Sequence, residues 1–351
     1  MKVWLLRGGT VLALAFLVLT FLNASWLAPV PRGHVKLIAH RGLYQAFDHK
    51  GLKNDTCTAS RIEPPYHSFL ENTLPALRKV KTMAPAMVEL DIAPTSDGRL
   101  AVFHDWTLDC RTDGKGDTRS HTLAEIQALD AGYGYTADGG KTFPFRGKGV
   151  GLVPSLEEYL KAAGPTKLLF NFKSRNPAEA DMLAAALKAA GRDPQVTGDG
   201  FYGGPEAGPV ARIREIYPRA WAFSQESAKA CSTAYALQGW IGLTPGACRN
   251  GTLLVPLDYQ WAFAGWPNRA IARMEAVGAR VMVVGPQRDG DRPMGLDLPE
   301  QLGEIPSSFN GYVFVDDMWN IGPALHSSID RRNGHEIELA EKAIERRRAK
   351  R

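Results

Sequence analysis

The fold class of this 351-residue chain is decided by the stretch Val35-Lys36-Leu37-Ile38-Ala39-His40-Arg41-Gly42. Its first five residues are mostly apolar and predict a short buried strand. His40, Arg41 and Gly42 then lie at the carboxyl end of that strand. Because active sites of α/β proteins collect at the carboxyl ends of strands, the stretch predicts a strand and candidate functional residues together.

A second apolar segment, residues 87–92, carries two acidic residues. Glu89 and Asp91 are two positions apart, and since side chains alternate along a strand, both carboxylates point to one face. Charged residues are seldom buried unless they are paired or bind a metal, so the pair predicts a site for Mg²⁺ or Ca²⁺. A solvated sheet edge is the alternative.

The next segment predicts a hairpin. Asp97-Gly98 is a turn signal, and residues 99–104 form a candidate return strand that ends at His104. A single histidine at the end of an apolar strand is more often structural than catalytic. Two histidines, His40 and His104, on either side of a carboxylate pair instead favour acid and base chemistry on an anionic substrate.

Four short motifs follow one another in the first third of the chain. They are His40-Arg41-Gly42, Glu71-Asn72-Thr73, Glu89-Leu90-Asp91 and His104-Asp105. Their order resembles the signature of the glycerophosphodiester phosphodiesterase family. The stretch 97–116, which contains Arg111-Thr112-Asp113-Gly114, also resembles the loop after the family's second histidine.

The resemblance implies an α/β fold, a TIM (β/α)8 barrel with an inserted loop after strand 1 and an N-terminal signal or anchor helix. The rest of the chain alternates candidate strands with helices, which favours a parallel sheet. The candidate strands are 167–172, 195–201, 219–223, 252–257, 280–284 and 311–315, with helices at 177–190 and 268–277. Eight barrel strands result when residues 99–104 are an accessory extension of the second strand.

The resemblance implies catalytic roles for the matching residues. His40 and His104 would share general acid and general base work in phosphodiester cleavage, since imidazole titrates near neutral pH. Arg41 and Lys173 would bind the substrate phosphate, whose oxygens match the guanidinium fork of an arginine. The attacking group would be the substrate's own neighbouring hydroxyl or a water.

The resemblance also implies a divalent ion, Mg²⁺ or Ca²⁺, bound by Glu89 and Asp91. Glu71 would ligate the ion or orient a nearby donor. The chain departs from the family at Asn171, where a metal-binding glutamate normally stands two residues before a lysine, here Lys173. An asparagine carbonyl can ligate either ion but carries no charge, so weaker or altered ion binding is expected. A site that has decayed into a binding pocket is the alternative.

The start of the sequence predicts export. Lys2 and Arg7 precede an almost wholly apolar run at residues 10–22, which is typical of a signal peptide or short membrane anchor within residues 1–29. A buried core helix is the alternative. The positive residues favour a cytoplasmic N-terminus, so the remainder is expected to be extracytoplasmic, either periplasmic or secreted, and membrane-held if the segment is retained.

The four cysteines fit an exported chain. None has a metal-finger spacing. The expected disulfides join Cys57 to Cys110 and Cys231 to Cys248, although four cysteines allow three pairings. Four free buried thiols are the alternative.

Residues 33–333 are expected to form the barrel domain and residues 334–351 a C-terminal helix with a basic tail. The net charge of +5 equals the five cations among the last six residues, so the tail is either a solvated helix end or a contact with an anionic membrane. Residues 43–70 and 132–151 are long loops that are expected to be functional or disordered. No basic and aromatic stripe and no phosphate-binding glycine loop occurs, so neither nucleic-acid nor nucleotide binding is expected.

The expected function is therefore that of a phosphoric diester hydrolase, which cleaves glycerophosphodiesters to glycerol phosphate and an alcohol with a divalent metal. Its substrate would be a small-molecule or lipid head-group diester. One alternative is lysophospholipase D-like activity on lipid diesters. Another is a noncatalytic glycerophosphodiester-binding protein, which would still bind its ligand after His104→Ala and whose parent form would show no turnover.

Overall fold

Nine strands form one sheet in the computed structural model of the chain, which describes residues 2–53, 55–287 and 294–350. The strands are β1 (Lys36–Ala39), β2 (Met87–Pro94), β3 (Leu100–Val102), β4 (Leu168–Phe172), β5 (Gly200–Gly203), β6 (Trp221–Ser224), β7 (Thr252–Pro256), β8 (Arg280–Val284) and β9 (Tyr312–Val315). Eight of them are parallel neighbours in the order β6-β5-β4-β2-β1-β9-β8-β7. They form a nearly closed parallel barrel, as expected for the predicted fold class.

Strand β3 lies outside the barrel. It pairs antiparallel with β2, with Val102 opposite Ile92, and its only strand partner in the described chain is β2. The prediction of an accessory strand is therefore confirmed. The strand ends at Val102, so His104 belongs to the following loop and not to the strand.

The barrel has one seam, between β6 and β7. Within the described chain these two strands share no backbone pairing. The indole Nε1 of Trp221 on β6 donates a hydrogen bond to Thr252 Oγ1 on β7, at 2.9 Å. A side chain thus bridges the gap where main-chain bonds would close an ideal barrel.

Helices account for most of the remaining elements, and those that follow α1 pack around the barrel. They are α1 (Lys2–Leu22), α2 (Leu74–Lys81), α3 (Leu123–Ala128), α4 (Leu156–Ala163), α5 (Ala178–Ala189), α6 (Pro194–Thr197), α7 (Pro209–Ile216), α8 (Gln225–Gln238), α9 (Asn268–Ala276), α10 (Met318–Leu325) and α11 (Gly334–Arg348). Each predicted strand is present to within a few residues, with one exception.

The exception is the strand predicted at residues 195–201. Residues 194–197 form α6 instead, and the strand begins at Gly200. Asp193 caps the turn by accepting a hydrogen bond from the Gln195 amide at 2.9 Å. Pro194 suits the first helical position, because proline has no backbone N–H and an N–H there would have no acceptor within the helix. Gly198 then ends the turn with φ 79°, a conformation that favours glycine.

The two faces of the barrel strands pack against different partners. Ile38, Met87, Leu169, Trp221 and Met282 form one buried cluster that fills the barrel. The alternate residues of the same strands pack with the helices in a second, larger cluster. This alternation follows from the period of two along a strand, and it decides which side chains reach the barrel interior.

Helix α1 projects from the barrel, and its described large apolar side chains are exposed. The segment after it is held tightly. Asn23 donates to the Trp240 carbonyl oxygen at 2.7 Å and accepts from Arg273 Nη2 at 2.5 Å, and Ser25 Oγ accepts from the Asn268 amide at 3.0 Å. Among the described residues, no helix combines the length and apolar character needed to cross a bilayer.

The C-terminal helix packs onto the long loop 43–70, which is described except for residue 54. Arg347 is buried and donates to Glu63 Oε2 at 2.9 Å, to Asp317 Oδ2 at 2.5 Å and to Tyr66 OH at 2.7 Å. The alternative that the tail is a solvated helix end is therefore wrong for Arg347. Arg351 of the predicted basic tail lies outside the described residues.

Both predicted disulfides are confirmed. Cys57 is bonded to Cys110 and Cys231 to Cys248. Four free thiols are thereby excluded.

Candidate active site

Polar side chains replace apolar ones at the carboxyl ends of the barrel strands. Each of these polar residues lies two positions after an apolar residue that fills the barrel. Because side chains alternate along a strand, both residues point into the barrel. His40 follows Ile38, Glu89 follows Met87, and Asn171 follows Leu169 in the same row. The barrel interior is therefore apolar at one end and a cluster of charged and amide groups at the other.

Two tight turns, after β1 and before α2, support this cluster. Arg41 and Asn72 have φ values of 53° and 59°, which are uncommon for residues with a side chain. The Asn72 amide donates to the Arg41 carbonyl oxygen at 3.0 Å, and Asn72 Nδ2 donates to Asp91 Oδ2 at 2.9 Å. Thr73 caps α2 by accepting a hydrogen bond from the Ala76 amide. The second motif thus supplies a carboxylate, a brace for Asp91 and a helix cap.

Arg41 lies buried between three functional groups. Its Nη1 donates to Glu71 Oε1 at 2.7 Å, its Nε donates to His40 Nε2 at 3.2 Å, and its Nε is 3.5 Å from Asp91 Oδ2. Burial alone would lower the pKa of Arg41, but Glu71 and Asp91 outweigh burial and hold that pKa well above its usual range. The guanidinium is therefore a fixed positive charge, as phosphate binding requires.

His40 is oriented by a carboxylate that follows β9. Its Nδ1 is 2.8 Å from Asp316 Oδ1, while Nε2 accepts the bond from Arg41. These contacts place the proton of a neutral ring on Nδ1, facing Asp316, and direct Nε2 toward Glu89, whose Oε2 is 4.0 Å away. Burial would raise the pKa of Asp316, but the bond to His40 lowers it, so the carboxylate stays ionised.

His104 lies in the loop after β3 and keeps part of its surface exposed. Its Nδ1 is 2.6 Å from Asp105 Oδ1. Burial, followed by the positive charges of Arg41 and Lys173, holds the pKa of His104 well below its ordinary value. The ring is therefore neutral at pH 7 and able to accept a proton.

Glu89 and Asp91 are both fully buried on β2 and point to the same side. Glu89 accepts from Tyr202 OH at 2.7 Å and from the Arg41 amide at 2.8 Å. Burial, and then repulsion from Asp91, raises the pKa of Glu89. Burial would also raise the pKa of Asp91, but the nearby cations, Lys173 first, hold it far below the usual range. The alternative that Glu89 and Asp91 lie on a solvated sheet edge is therefore wrong.

Asn171 and Lys173 face the site from β4 and the residue beyond it. Asn171 Nδ2 donates to Asp91 Oδ1 at 2.8 Å, and Lys173 Nζ is 3.5 Å from the same oxygen. The amide thus interacts with Asp91 as a donor, where a glutamate would repel it in the absence of a cation. Lys173 offsets the negative charge of Asp91, and Asn171 adds no further charge beside it.

The residues present fit a divalent cation by their charge. Five carboxylates and three positively charged side chains converge here, so two negative charges remain when both histidines are neutral. The acids are Glu71, Glu89, Asp91, Asp105 and Asp316, and the bases are Arg41, Arg111 and Lys173. No group of three or more His, Cys, Asp or Glu within the described ranges is arranged as a metal site. A divalent ion would therefore rely on Glu89 and Asp91, with an amide carbonyl, water or substrate oxygens completing its shell.

Glu71 is placed differently from the other two candidate acids. Its Oε1 accepts from Arg41 and its Oε2 accepts from Arg111, each at 2.7 Å. Both oxygens are thus engaged by guanidinium groups. Of the two roles predicted for Glu71, these contacts favour orientation of a neighbouring donor over ligation.

The structure brings all eight predicted site residues together and adds five that sequence reasoning did not assign a role. These are Asn72, Asp105, Arg111, Tyr202 and Asp316. Asp316 had a detectable signal, because it follows a predicted strand at its carboxyl end just as His40 does. Tyr202 was hidden by the misplaced strand at 195–201, which ended one residue too early.

Comparison with known proteins agrees with the motifs. Residues 40–194 match the model of the Glycerophosphoryl diester phosphodiesterase family. A glycerophosphodiester phosphodiesterase of Bacillus subtilis is 40% identical over 97 residues, which are 27% of this chain and 32% of that protein. The chain thus spans about a third of the length of that curated relative. The resemblance to the family is confirmed.

Solved structures support the fold. The glycerophosphoryl diester phosphodiesterase domain of an uncharacterized Mycobacterium tuberculosis protein has a TM-score of 0.60 at 17% identity, covering 84% of this chain and 100% of that one. An Oleispira antarctica phosphodiesterase in complex with the product sn-glycerol-3-phosphate has a TM-score of 0.53 at 19% identity, covering 84% and 97%. At this identity the likeness establishes the barrel fold alone.

Proposed function

We propose, on the premise that this chain belongs through residues 40–194 to the glycerophosphoryl diester phosphodiesterase family, that it hydrolyses glycerophosphodiesters to glycerol phosphate and an alcohol. One observation carries the proposal. Two histidines, each 2.6–2.8 Å from its own carboxylate, flank a buried arginine and a buried carboxylate pair at the carboxyl ends of a parallel barrel. Metal-assisted cleavage of a phosphodiester can use each of these groups, for proton transfer, phosphate binding and cation binding.

The substrate phosphate binds between Arg41 and Lys173. Glu71 fixes one terminal nitrogen of Arg41, and the other, Nη2, has no hydrogen-bond partner within the described ranges and is available to a phosphate oxygen. The Oleispira antarctica structure holds sn-glycerol-3-phosphate, a ligand with the same phosphate group as the proposed product. Two cations on one phosphate also reduce repulsion between the substrate and the acidic cluster.

His104 acts as the general base and His40 as the general acid. The low pKa of His104 leaves its ring neutral, so it takes the proton of the attacking hydroxyl or water. His40 acts as the acid in its doubly protonated form, in which Asp316 holds the Nδ1 proton and the Nε2 proton replaces the hydrogen bond from Arg41. It delivers that Nε2 proton to the leaving alcohol oxygen. The P–O bond to that alcohol breaks as the new P–O bond forms. His104 gains the proton of the attacking group, and His40 gives a proton to the leaving alcohol.

The family generally uses a divalent metal ion, and we propose Mg²⁺ or Ca²⁺ here. Glu89 and Asp91 would hold it, with Asn171 contributing its carbonyl after rotation of the amide. When bound, the ion neutralises charge that develops on the phosphate oxygens. Because Asn171 replaces a carboxylate, the expected affinity is lower than for a three-acid site.

Release of glycerol 3-phosphate from glycerophosphocholine tests the proposal, with the full chain assayed in EDTA, Mg²⁺, Ca²⁺ or Mn²⁺. We expect metal-dependent turnover that His40→Ala lowers by about 10²- to 10⁴-fold. The matched control is His34→Ala, an exposed histidine just before β1, which should keep parent activity. Binding of glycerol 3-phosphate without turnover under any condition would instead identify a noncatalytic binding protein.

Lipid diesters are a second candidate substrate class. Helix α1 exposes apolar side chains, including Leu12, Phe16 and Phe21, and the adjoining Trp26 is also exposed. Two disulfides suit an oxidising, extracytoplasmic compartment. A membrane-associated enzyme with access to lysophospholipids would account for both features. Higher kcat/KM on lysophosphatidylcholine vesicles than on glycerophosphocholine, lost on deletion of residues 1–22, would establish it.

A further inference from the structure

Arg111 lies buried where three loops meet, with 3% of its surface exposed. Its Nη2 donates to Thr58 Oγ1 of loop 43–70 at 2.7 Å, and its Nη1 donates to Tyr135 OH of loop 132–151 at 2.8 Å. Arg111 itself belongs to the loop that follows His104. One side chain therefore fastens both long loops to the loop that bears a proposed catalytic histidine.

Two ion pairs connect Arg111 to the site. Its Nη1 donates to Glu71 Oε2 at 2.7 Å, and the other oxygen of Glu71 accepts from Arg41. Its Nε lies 2.8 Å from Asp105 Oδ2, and the other oxygen of Asp105 is 2.6 Å from His104 Nδ1. One guanidinium thus holds the two carboxylates that orient the phosphate-binding arginine and the proposed general base.

We propose that Arg111 is a positioning residue that keeps Arg41 and His104 aligned with each other, and that the Cys57–Cys110 disulfide holds Arg111 in this position. The inference rests on the proposed function. Nη1 and Nη2 of Arg111 donate hydrogen bonds to protein oxygens, and its buried Nε forms an ion pair with Asp105 that lacks hydrogen-bond geometry. Arg111 therefore acts on the substrate only through its neighbours. A planar fork with several donors suits this task, which a lysine would not perform.

The disulfide joins the two chain segments that hold the guanidinium. Cys110 precedes Arg111, and Cys57 precedes its acceptor Thr58. The opposite side is closely packed as well, because a Cβ atom at Gly134 would lie 1.9 Å from the Cys110 carbonyl oxygen. The backbone of Arg111 is therefore confined from two directions, and loss of the disulfide would release one of them.

The deciding experiment compares two buried arginines. Arg111→Met removes the proposed positioning residue. Arg192→Met removes another buried arginine, whose Nη2 is 2.6 Å from Asp199 Oδ1 at the other end of the barrel. We expect Arg111→Met to lower kcat/KM for glycerophosphocholine by about 10- to 100-fold. Its KM should rise, because Arg41 loses its support. Arg192→Met should lower the resistance to urea and leave KM unchanged.

KM separates positioning from a merely structural role. A structural defect reduces the folded fraction, which lowers apparent kcat and leaves KM at the parent value. A second arm replaces the cysteines in pairs. Cys57→Ser with Cys110→Ser should raise KM, as Arg111→Met does. Cys231→Ser with Cys248→Ser, which removes the disulfide between α8 and the turn before β7, should not.

Each outcome decides the inference. A parent protein without turnover overturns the proposed function, and this inference falls with it. Parent turnover with unchanged KM in both Arg111→Met and the Cys57/Cys110 double variant overturns the inference alone. If Arg111→Met does not fold, Arg111→Lys replaces it, since a lysine keeps the buried charge but lacks the planar fork that reaches both carboxylates. Unchanged KM in Arg111→Lys and in the Cys57/Cys110 double variant would also overturn the inference.

Discussion

The two ends of the barrel each bury arginine and carboxylate groups, but in different ways. At the amino ends of β4 and β5, Arg192 Nε donates to Asp199 Oδ2 at 2.7 Å, and its terminal nitrogens donate to the carbonyl oxygens of Gly164 and Thr166. Asp199 also accepts from the Leu168 amide at 2.8 Å. The donors and acceptors of this pair match one another within the protein.

The carboxyl ends carry an excess of acid and a shortage of partners. Asp316 and Glu179 each bury a carboxylate oxygen without a hydrogen-bond partner among the described residues. Burying a polar group without a partner is unfavourable, so a fold retains it where a ligand or solvent supplies the missing interaction. One end of the barrel therefore contributes stability, and we infer that the other end is arranged for binding, as in barrel enzymes generally.

The largest expected effect tests this division directly. Asp199→Asn leaves Arg192 buried without its counter-charge, so we expect the free energy of unfolding to fall by about 3–5 kcal/mol, measured by urea denaturation. Its KM for glycerophosphocholine should equal that of the parent. Glu71→Gln, the matched change at the carboxyl ends, should instead raise KM. Equal loss of stability and unchanged KM in both variants would abolish the distinction between the two ends.

A smaller effect is expected at the partner of His40. Asp316→Asn keeps an oxygen near Nδ1 but removes the charge that stabilises the protonated ring. We expect kcat to fall by about 10- to 100-fold, as for other groups that orient a functional histidine, with the urea midpoint nearly unchanged. Asp181→Asn, at an exposed carboxylate, is the control. A kcat equal to that of the parent would remove Asp316 from the mechanism.

Ion binding offers a third test at the carboxyl ends. Asn171→Glu restores an acid beside Asp91, where the amide now donates a hydrogen bond at 2.8 Å. We expect Mg²⁺ or Ca²⁺ affinity to rise by about tenfold or more, measured by calorimetry, since ligand charge sets affinity for hard cations. In EDTA the same variant should melt at a lower temperature than the parent. Asn171→Gln supplies the neutral control, and an affinity no higher than that control would count against a cation site here.

The smallest effect concerns pH. Burial lowers the pKa of His67 to about 4, and its Nδ1 accepts hydrogen bonds from Gln45 Nε2 and the Phe69 amide. Between about pH 4 and 6.5 the unfolded chain therefore binds a proton that the folded ring does not. Stability should rise with pH through this window and be complete above it.

The amplitude is modest because the His67 ring is partly exposed. We expect about 1–2 kcal/mol between pH 4.5 and 7, after allowance for solvent contact. His67→Asn keeps an acceptor without a titrating ring and should flatten the dependence measured by urea unfolding. His34→Asn, at an exposed site, should not. A parent protein with the same slope as His67→Asn would show that this ring does not contribute.

Much of the site could be predicted because its residues occupy strand rows with a fixed period. His40, Glu89 and Asp91 follow apolar positions on β1 and β2, so alternation alone places them inside the barrel. Asn171 and Lys173 follow the same rule on β4. The disulfide pairs were also predicted, since nearby loops limit the choice among three pairings.

What could not be predicted depends on contacts between distant segments. Asp316 reaches His40 across 276 positions of the chain, and Arg111 reaches Glu71 across 40. Sequence periodicity describes neighbours along one strand and carries no information on which loops meet. The strand at β5 was misplaced for a local reason, because the capped turn at 194–197 overrides the β-propensity of its residues.

The seam between β6 and β7 gives the barrel two edges. A fully closed barrel has no edge strands. This sheet is instead a curved ribbon whose two edge strands meet through the hydrogen bond between the Trp221 indole and Thr252. Backbone groups along such edges open more readily than those paired on both sides, as in the β2–β4 region. The barrel strands within the segment 40–194 are β2 and β4, which are neighbours in the interior of the strand order. Opening at the seam would therefore begin at β6 and β7 and leave Glu89 and Asp91, on β2 in the middle of the ribbon, on a part of the sheet that is paired on both sides.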